Sequence, residues 1–313
     1  MKEPRKHHYV PQFYLAGFTK TGEKCGTLWV FDKHKLKQWE SSPKDAAAIR
    51  DYNAVDVAQD LPRSAAENAI GKIENLCAPV LYSIIESRRL PTGKDFDIFL
   101  NFVALMFARV LHVRTTLNNF ADELAKKVNW YYFGAPNGKE HLRDVSAKLG
   151  RDMTDEEYAG MAEMHQKDAY TVTLDKNTLL GITLDIGEQL VPILAQRQWS
   201  LYIVDDAAPD LITSDLPVRL MWAASDPGFL SPGFGTLNTR LSFPLSRRIL
   251  AVSSFEGQPD IDAMPADLVM DWNGLALAAG SQAYSSEEEF VCTLPDLEPG
   301  TASELLRLMS ARR

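Results

Sequence analysis

Between Phe96 and Leu111 the chain sets apolar side chains at Phe96, Phe99, Leu100, Val103, Met106, Phe107, Val110 and Leu111, the spacing of an α-helix. The first half of this stretch is apolar nearly all the way round, so the helix it forms must lie at the centre of a core. The run from Ile98 to Val113 also carries Asn101, Arg109 and His112, and it falls short of the ~20 apolar residues that cross a bilayer. It reads as a buried core helix with an arginine inside it. Any fold of this chain has to surround that helix and satisfy that charge.

The rest of the chain divides by hydrophobic period. Gly26 to Phe31 (GTLWVF) is aromatic and β-branched, follows the turn residues Thr21-Gly22, and predicts a strand in a small β unit. Ser64 with Glu67 three residues on predicts a capped helix through Ile70, Ile73, Leu76 and Cys77, with a kink or break near Cys77 or Ala78 ahead of Pro79. After the Pro91-Thr92-Gly93 turn, Lys94 to Val128 is one long helix or two abutting ones, and Asp155 to Tyr170 and Thr178 to Gln198 supply two more, with Pro192 as a kink in the last. From Trp199 the period becomes that of strands: Trp199 to Val204, Leu211 to Ser214, Leu241 to Pro244 and Arg248 to Ser253. Pro227 to Gly235 (PGFLSPGFG) is a loop, and helices are expected over Pro265 to Ala279 and Ala302 to Arg312.

Helices followed by strands, without regular βαβ alternation, predict an α+β fold. The expected architecture is a small N-terminal β unit, a central helical bundle and a C-terminal, mainly antiparallel sheet. At 313 residues we take residues 1–313 as one compact domain with sub-regions 1–60, 64–198 and 199–313. No GxGxxG or GxxxxGK[ST] loop is present, nor HExxH, GxSxG, an EF-hand loop or CxxC. Asp210 lacks a following E-x-K, so a restriction-type nuclease core is not indicated.

Charge and cysteine content narrow the class further. Cys25, Cys77 and Cys292 are far apart and odd in number, which supports neither a disulfide framework nor a structural zinc site. The polar, basic opening resembles no signal peptide, so the expected location is the cytoplasm, with no membrane partner. A net charge of −9 argues against coating nucleic acid by bulk electrostatics. The charge is uneven, with ten Lys/Arg against five Asp/Glu in the first fifty residues and eleven acidic residues but no Lys or Arg from Ile249 to Leu306. The plain reading is a solvated acidic face; the sharper one is a basic N-terminal segment that packs on the acidic part or meets an anion.

Four places combine reactive side chains with a setting that could aim them. His7 and His8 precede an extended Val-Pro pair and could serve as metal ligands or acid and base, although in a strand they would face opposite ways and one or both could be structural. Thr213-Ser214-Asp215-Leu216-Pro217 leaves a predicted strand, where a carboxylate is held yet open, but Ser and Asp before proline are also ordinary turn formers. Arg109, with His112 and Arg114 nearby, either pairs with Glu67 or Glu74 or grips an anion. Asp271-Trp272-Asn273 with Ser281, Gln282 and Tyr284 is the weakest cluster, since Asn273 could simply cap a helix.

The strings HHYVPQFYLAGFT (7–19), TLWVFDK (27–33), LITSDLPV (211–218) and SFPLSRR (242–248) resemble, in this order, a bacterial family catalogued as domain of unknown function 4238. In that family the histidine opening recurs, Arg109 matches a central-helix arginine, and Thr213 to Pro217 match a Thr-Ser-Asp-x-Pro turn. Many members carry proline soon after the arginine, where this chain has Val110-Leu111-His112. By analogy, the resemblance implies that His7, His8, Ser214 and Asp215 converge as a catalytic site. Arg109, Gln12 and Arg114 would hold substrate, and His8 with Asp215 would bind a divalent metal such as Mg, Mn or Zn. Such a set suits a phosphate-bearing substrate. The expected function is therefore a hydrolase of phosphodiester bonds, a nuclease of defence or toxin kind acting on nucleic acid or nucleotides. The alternative is a non-enzymatic binding or effector protein with a small anionic ligand at the same place.

Overall fold

A computed structural model of the chain describes residues 5–55, 62–223, 231–296 and 298–311. Strand β1 (Lys6–His8) leads into a single helical turn, α1 (Gln12–Leu15), followed by β2 (Leu28–Asp32), β3 (Lys37–Ser41) and β4 (Ala48–Arg50). The Pro11 ring fixes φ at −63°, with ψ at 145°, and so sets the extended entry to α1. Phe13, Tyr14 and Leu15 are buried, which makes the N-terminal string a core segment rather than a tail.

The helices follow as α2 (Ala65–Ser87), α3 (Lys94–Ala108), α4 (Leu111–Gly134), α5 (Gly138–Lys148), α6 (Asp155–Gln166) and α7 (Lys176–Leu194). Helix α2 departs from expectation twice. Ser64 makes no side-chain cap: its hydroxyl accepts from Asn68 Nδ2 at 3.3 Å, the Glu67 carboxylate accepts from Asn53 Nδ2 at 2.8 Å, and the capping box does not form. Pro79 does not end the helix either, since Cys77, Val80, Leu81 and Ile84 bury one continuous face. Burying several such side chains is worth roughly 1.5–3 kcal/mol each, more than the ~3 kcal/mol that an internal proline costs. The central apolar stretch is two helices, divided at Arg109-Val110. Helix α5 was not foreseen because its sequence is polar almost throughout. A capping box does form at Thr154 and Glu157, ahead of α6.

The remaining elements are β5 (Gln198–Val204), β6 (Thr213–Ser214), β7 (Arg219–Trp222), β8 (Thr239–Ser246), β9 (Ile249–Ser254), β10 (Ile261–Met264), α8 (Ala266–Ala279), β11 (Gln282–Ser285), β12 (Val291–Thr293), β13 (Pro299–Thr301) and α9 (Ala302–Ala311). The α+β class holds. One sheet runs β10-β5-β9-β8-β7, antiparallel except for the β10–β5 pair. A second, β3-β2-β11-β6, is antiparallel throughout. The N-terminal strands stand as expected, β1 pairing with β4 in a two-stranded sheet and β2 with β3, and β2 pairs further with β11, which sets Asp32 opposite Gln282. Residues 231–235 of the expected loop carry no helix or strand; residues 227–230 and the expected helix end at Arg312 lie outside the described residues.

The chain groups into two compact units, Met1–Leu111 with Leu180–Arg313, and His112–Leu179. In the second unit, Asp122 accepts the Val172 amide hydrogen bond and pairs with Lys126, while His165 and Asn129 both bond the Tyr170 hydroxyl. The first unit holds the main core, in which Tyr14 stacks on Phe243 at 5.3 Å. The Tyr14 hydroxyl donates to the Pro244 carbonyl at 2.7 Å, so the Thr213 hydroxyl, also at 2.7 Å, is the donor to Tyr14. Among the described residues, no single helix is long and apolar enough to cross a membrane.

Arg109 is buried at the end of α3, as the sequence required, and it is paired with Glu74 of α2. Its other terminal nitrogen donates to the His8 carbonyl, and the Tyr52 hydroxyl caps the Arg109 carbonyl at 2.9 Å. Arg109→Ala removes one member of a largely buried pair and leaves the His8 carbonyl unbonded. The expected cost is about 3 kcal/mol, the lower end of the range because Glu74 keeps some contact with solvent. Urea denaturation measures this, and the double variant Arg109→Met with Glu74→Leu should recover most of the loss.

Candidate functional site

The four-stranded sheet separates its chemistry by strict alternation. Phe31 and Ala283 point to one face, into a cluster with Ala276, Phe290 and Leu305. Val30, Asp32, Gln282, Thr213 and Asp215 belong to the other. On that face lies a polar pocket of about 510 Å³ lined by Tyr9, Asp32, Lys35, Trp39, Asp215 and Gln282, among others. A larger groove of about 610 Å³ beside α8 and α9 is lined mainly by apolar residues such as Leu275, Leu277, Leu294, Leu305 and Met309. Its charged groups are engaged in structure: Lys33 Nζ bonds the Leu277 and Ala278 carbonyls, and Asp271 accepts from Thr293. The polar pocket is the better place for chemistry.

Three carboxylates line this pocket: Asp45 at its edge is engaged by Lys6 at 2.7 Å and Ser42 at 3.1 Å, while Asp32 and Asp215 face it from either side of β11. Asp215 Oδ1 accepts the Ser281 amide at 2.8 Å, and the Asp215 amide donates to the Gln282 carbonyl at 2.9 Å. Burial raises the Asp215 carboxyl above its ordinary pKa, against the backbone amides that favour its charged form. Asp32 ends on the other side. Burial works to raise it, but the Lys35 amide, the Gln282 side chain and the Lys35 ammonium outweigh burial and hold it below the usual carboxylate range. Gln282 Nε2 donates to Asp32 Oδ2 at 2.8 Å, while Gln282 Oε1 accepts from Tyr9 at 3.3 Å and Tyr284 at 3.1 Å. Burial pushes the Tyr9 hydroxyl up to about 12. Lys35 Nζ lies 3.4 Å from Asp32 and 5.3 Å from the centre of the Trp39 ring, and His34 Nε2 sits 3.2 Å from Ser281 Oγ. Gly280 is required beside this site, since a Cβ there would stand 2.6 Å from Asp215 Oδ1 and 2.7 Å from Ser214 Cβ.

The histidines take other positions. In β1, His7 and His8 pair with Ile49 and Ala48, and alternation sends their rings opposite ways. His7 Nδ1 accepts the Asn53 amide at 2.9 Å and lies 3.8 Å from Glu67. His8 Nε2 donates to the Lys44 carbonyl at 3.1 Å, which leaves Nδ1 to accept from Gln12 at 3.4 Å. It is Tyr9, the next residue, that lines the pocket. Arg109 holds the backbone of His8 rather than its ring. Ser214 Oγ bonds within its own turn, to the Leu216 carbonyl and amide. Arg114 and His112 belong to the second compact unit. Asn273 is a buried anchor, accepting the Ile212 amide and donating to the Asp210 and Val291 carbonyls. Asp210 is held below its ordinary range, where burial is overcome by Ser286, Arg247 and Arg248.

No group of three His, Cys, Asp or Glu side chains converges among the described residues in the way a metal site requires. The His8 ring nitrogens are taken by Lys44 and Gln12, so the pair expected to hold a divalent ion does not form a ligand set here. Sequence reasoning found Asp215 but assigned no role to Tyr9, Asp32, Lys35 or Trp39. The alternation in LWVFD, which puts Asp32 in register with Val30, was the available signal.

Burial lowers the His8 pKa, with the Lys44 carbonyl opposing it. A depressed folded-state value means that the unfolded chain binds the proton more readily. The His8 contribution to stability is therefore present above its unfolded pKa, ~6.5, and lost as pH falls below it. Melting curves should show His8→Gln losing less stability than the wild type between neutral and mildly acidic pH.

No curated protein and no solved structure matches the chain. A family model described as "Protein of unknown function (DUF4238)" matches residues 6–286, from the first histidine strand to the end of the strand that carries Gln282. The match spans nearly all of the elements that build the pocket, and the chain belongs to this DUF4238 family.

Proposed function

We propose that the polar pocket is the active site of a cytoplasmic phosphodiester hydrolase, in which Asp215 is the general acid and Asp32 the base. The observation that carries this reading is the pair of carboxylates on one pocket, one held towards its protonated form by burial and the other held ionised by amides and Lys35. Environments that push two neighbouring carboxyls apart are how one pocket supplies both an acid and a base near neutral pH. Asp32 and Asp215 flank Gln282 on adjacent strands, which places their Cα atoms about two strand spacings, ~10 Å, apart. That leaves room for a bond to be broken between them. Lys35 supplies positive charge at the rim for a phosphate, and the half-buried Trp39 offers an aromatic face for a base or sugar. The expected substrates are short single-stranded nucleic acids or nucleotides, in a defence or toxin setting. A duplex would meet the acidic balance of the rest of the chain.

A second reading is favoured by one observation: Asp32 already accepts from the His34 and Lys35 amides and from Gln282. A carboxylate so engaged serves well to orient a ligand, and the pocket would then bind a nucleotide-like molecule without turning it over.

The assay is cleavage of single-stranded RNA and DNA, duplexes and nucleotides, with Mg²⁺, Mn²⁺ or Zn²⁺ and with chelator. Loss of acid catalysis predicts that Asp215→Asn lowers turnover by about 100-fold or more. Wild-type turnover in that variant overturns the assignment, and binding without turnover in the wild type selects the second reading. Stability should move the other way. The folded-state pKa of Asp215 is raised, so its favourable contribution is complete below the unfolded value and lost as pH rises through the folded one. Asp215→Asn should therefore melt above the wild type at pH 7, with the difference shrinking as pH falls through the folded value.

A further inference from the structure

Helix α4 has two opposite faces of different character. One packs within its own unit: Asn118 accepts the Leu174 amide at 3.0 Å, Asp122 accepts the Val172 amide at 2.7 Å, and Phe133 meets the rings of Tyr158 and His165 at 5.5 and 5.3 Å. The other carries Leu117, Phe120, Leu124, Val128 and Tyr131, which at about 100° per residue all fall within about 40° of Leu124. Phe120 is 63% exposed, Leu124 49%, Val128 43% and Tyr131 69%. A continuous apolar stripe left open to water over about four turns marks a surface that another molecule covers.

The stripe reads the same in both directions. Counted from Leu124, its members stand at −7, −4, 0, +4 and +7. A helix paired antiparallel with its own copy, about a two-fold axis at Leu124, sets Leu124 against Leu124, Phe120 against Val128 and Leu117 against Tyr131, with no member left unmatched. The charges beside the stripe fit the same arrangement. Glu123 and Lys127 are exposed on one flank, and neither has an ion pair or hydrogen bond among the described residues, whereas Lys126 is taken by Asp122 and Asp168. The two-fold axis keeps like flanks together, so Glu123 of each copy meets Lys127 of the other, twice per dimer. A parallel pair would instead set both charges against the opposite flank, that of Ala121 and Ala125, where no counter-charge stands.

We infer that this face of α4 is an interface between two copies of the chain, paired antiparallel about Leu124. An interface confined to about four turns of one helix does not exceed the ~1,200 Å² at which standard interfaces begin, so the dimer dissociates in the micromolar range. The inference stands independently of the hydrolase reading, since it shares no side chain with the polar pocket.

Sedimentation equilibrium of the full chain at low salt should show a reversible monomer–dimer equilibrium. Leu124→Glu, at a half-exposed helix position, should fold, as circular dichroism reports, and raise the dissociation constant at least about 100-fold. Glu123→Lys and Lys127→Glu each replace two attractions by two repulsions and should weaken the dimer about tenfold. The double variant Glu123→Lys with Lys127→Glu, or an equimolar mixture of the two single variants, should restore it. A wild-type chain that stays monomeric across the micromolar range overturns the inference, as does a dimer that survives Leu124→Glu. Double and mixed forms that associate no better than the single variants overturn it as well, and they decide alone if Leu124→Glu does not fold. Flotation of a monomeric wild type with phosphatidylcholine–phosphatidylglycerol vesicles, lost in Leu124→Glu, would assign the face to a lipid surface and overturn the inference.

Discussion

The buried guanidinium of Arg109 is the constraint around which the first unit is arranged. A charge that deep has to be matched, and it is matched by two groups from different parts of the chain: the Glu74 carboxylate and the His8 carbonyl. The second contact does more than neutralise. By fixing the backbone of His8, it sets which side chain of the N-terminal string reaches which cavity. His8 turns to Lys44, His7 to Asn53, and Tyr9 is left to reach across to Gln282 and Tyr284. The N-terminal string thus contributes a tyrosine hydroxyl and a backbone anchor, and its imidazoles hold the β1 and β4 segments in place.

From there the site follows from sheet geometry. Pairing β2 with β11 and β11 with β6 brings residues near positions 32, 282 and 215 onto one row. Alternation sends their polar side chains to one face and Phe31 and Ala283 to the other, where they close a separate apolar cluster. The short Thr213–Pro217 turn belongs to both sides of this arrangement. Thr213 hydrogen bonds Tyr14 in the core, Ser214 closes its own turn, and Asp215 meets the Ser281 amide. One five-residue turn therefore couples core packing to a carboxylate, which is a physical reason for a protein of this fold to use such a turn.

Much of the fold was legible because period and length are strong signals. The central apolar stretch, the change of period at Trp199, the strands Trp199–Val204 and Arg248–Ser253 and the helix at Pro265–Ala279 all lie close to their observed places. Errors came where tertiary packing overrode local chemistry. Ser64 bonds Asn68 and Glu67 bonds Asn53, and α2 continued through Pro79 because its apolar face was held on both sides of the proline. Helix α5, polar and short, offered no apolar stripe to read, and short strands such as β12 and β13 exist only because each has the other as partner.

The sequence by itself determined that a buried arginine needed a partner and that helices precede a mainly antiparallel sheet. These are local or compositional properties, set by burial, periodicity and turn chemistry. Which polar groups meet was decided by tertiary structure alone. Asp32 and Asp215 are separated by more than 180 positions and become neighbours only through β11, a strand of four residues lying between them. Strand pairing at that separation depends on register and on the two cores that fix it, and neither is written in any single segment of the chain.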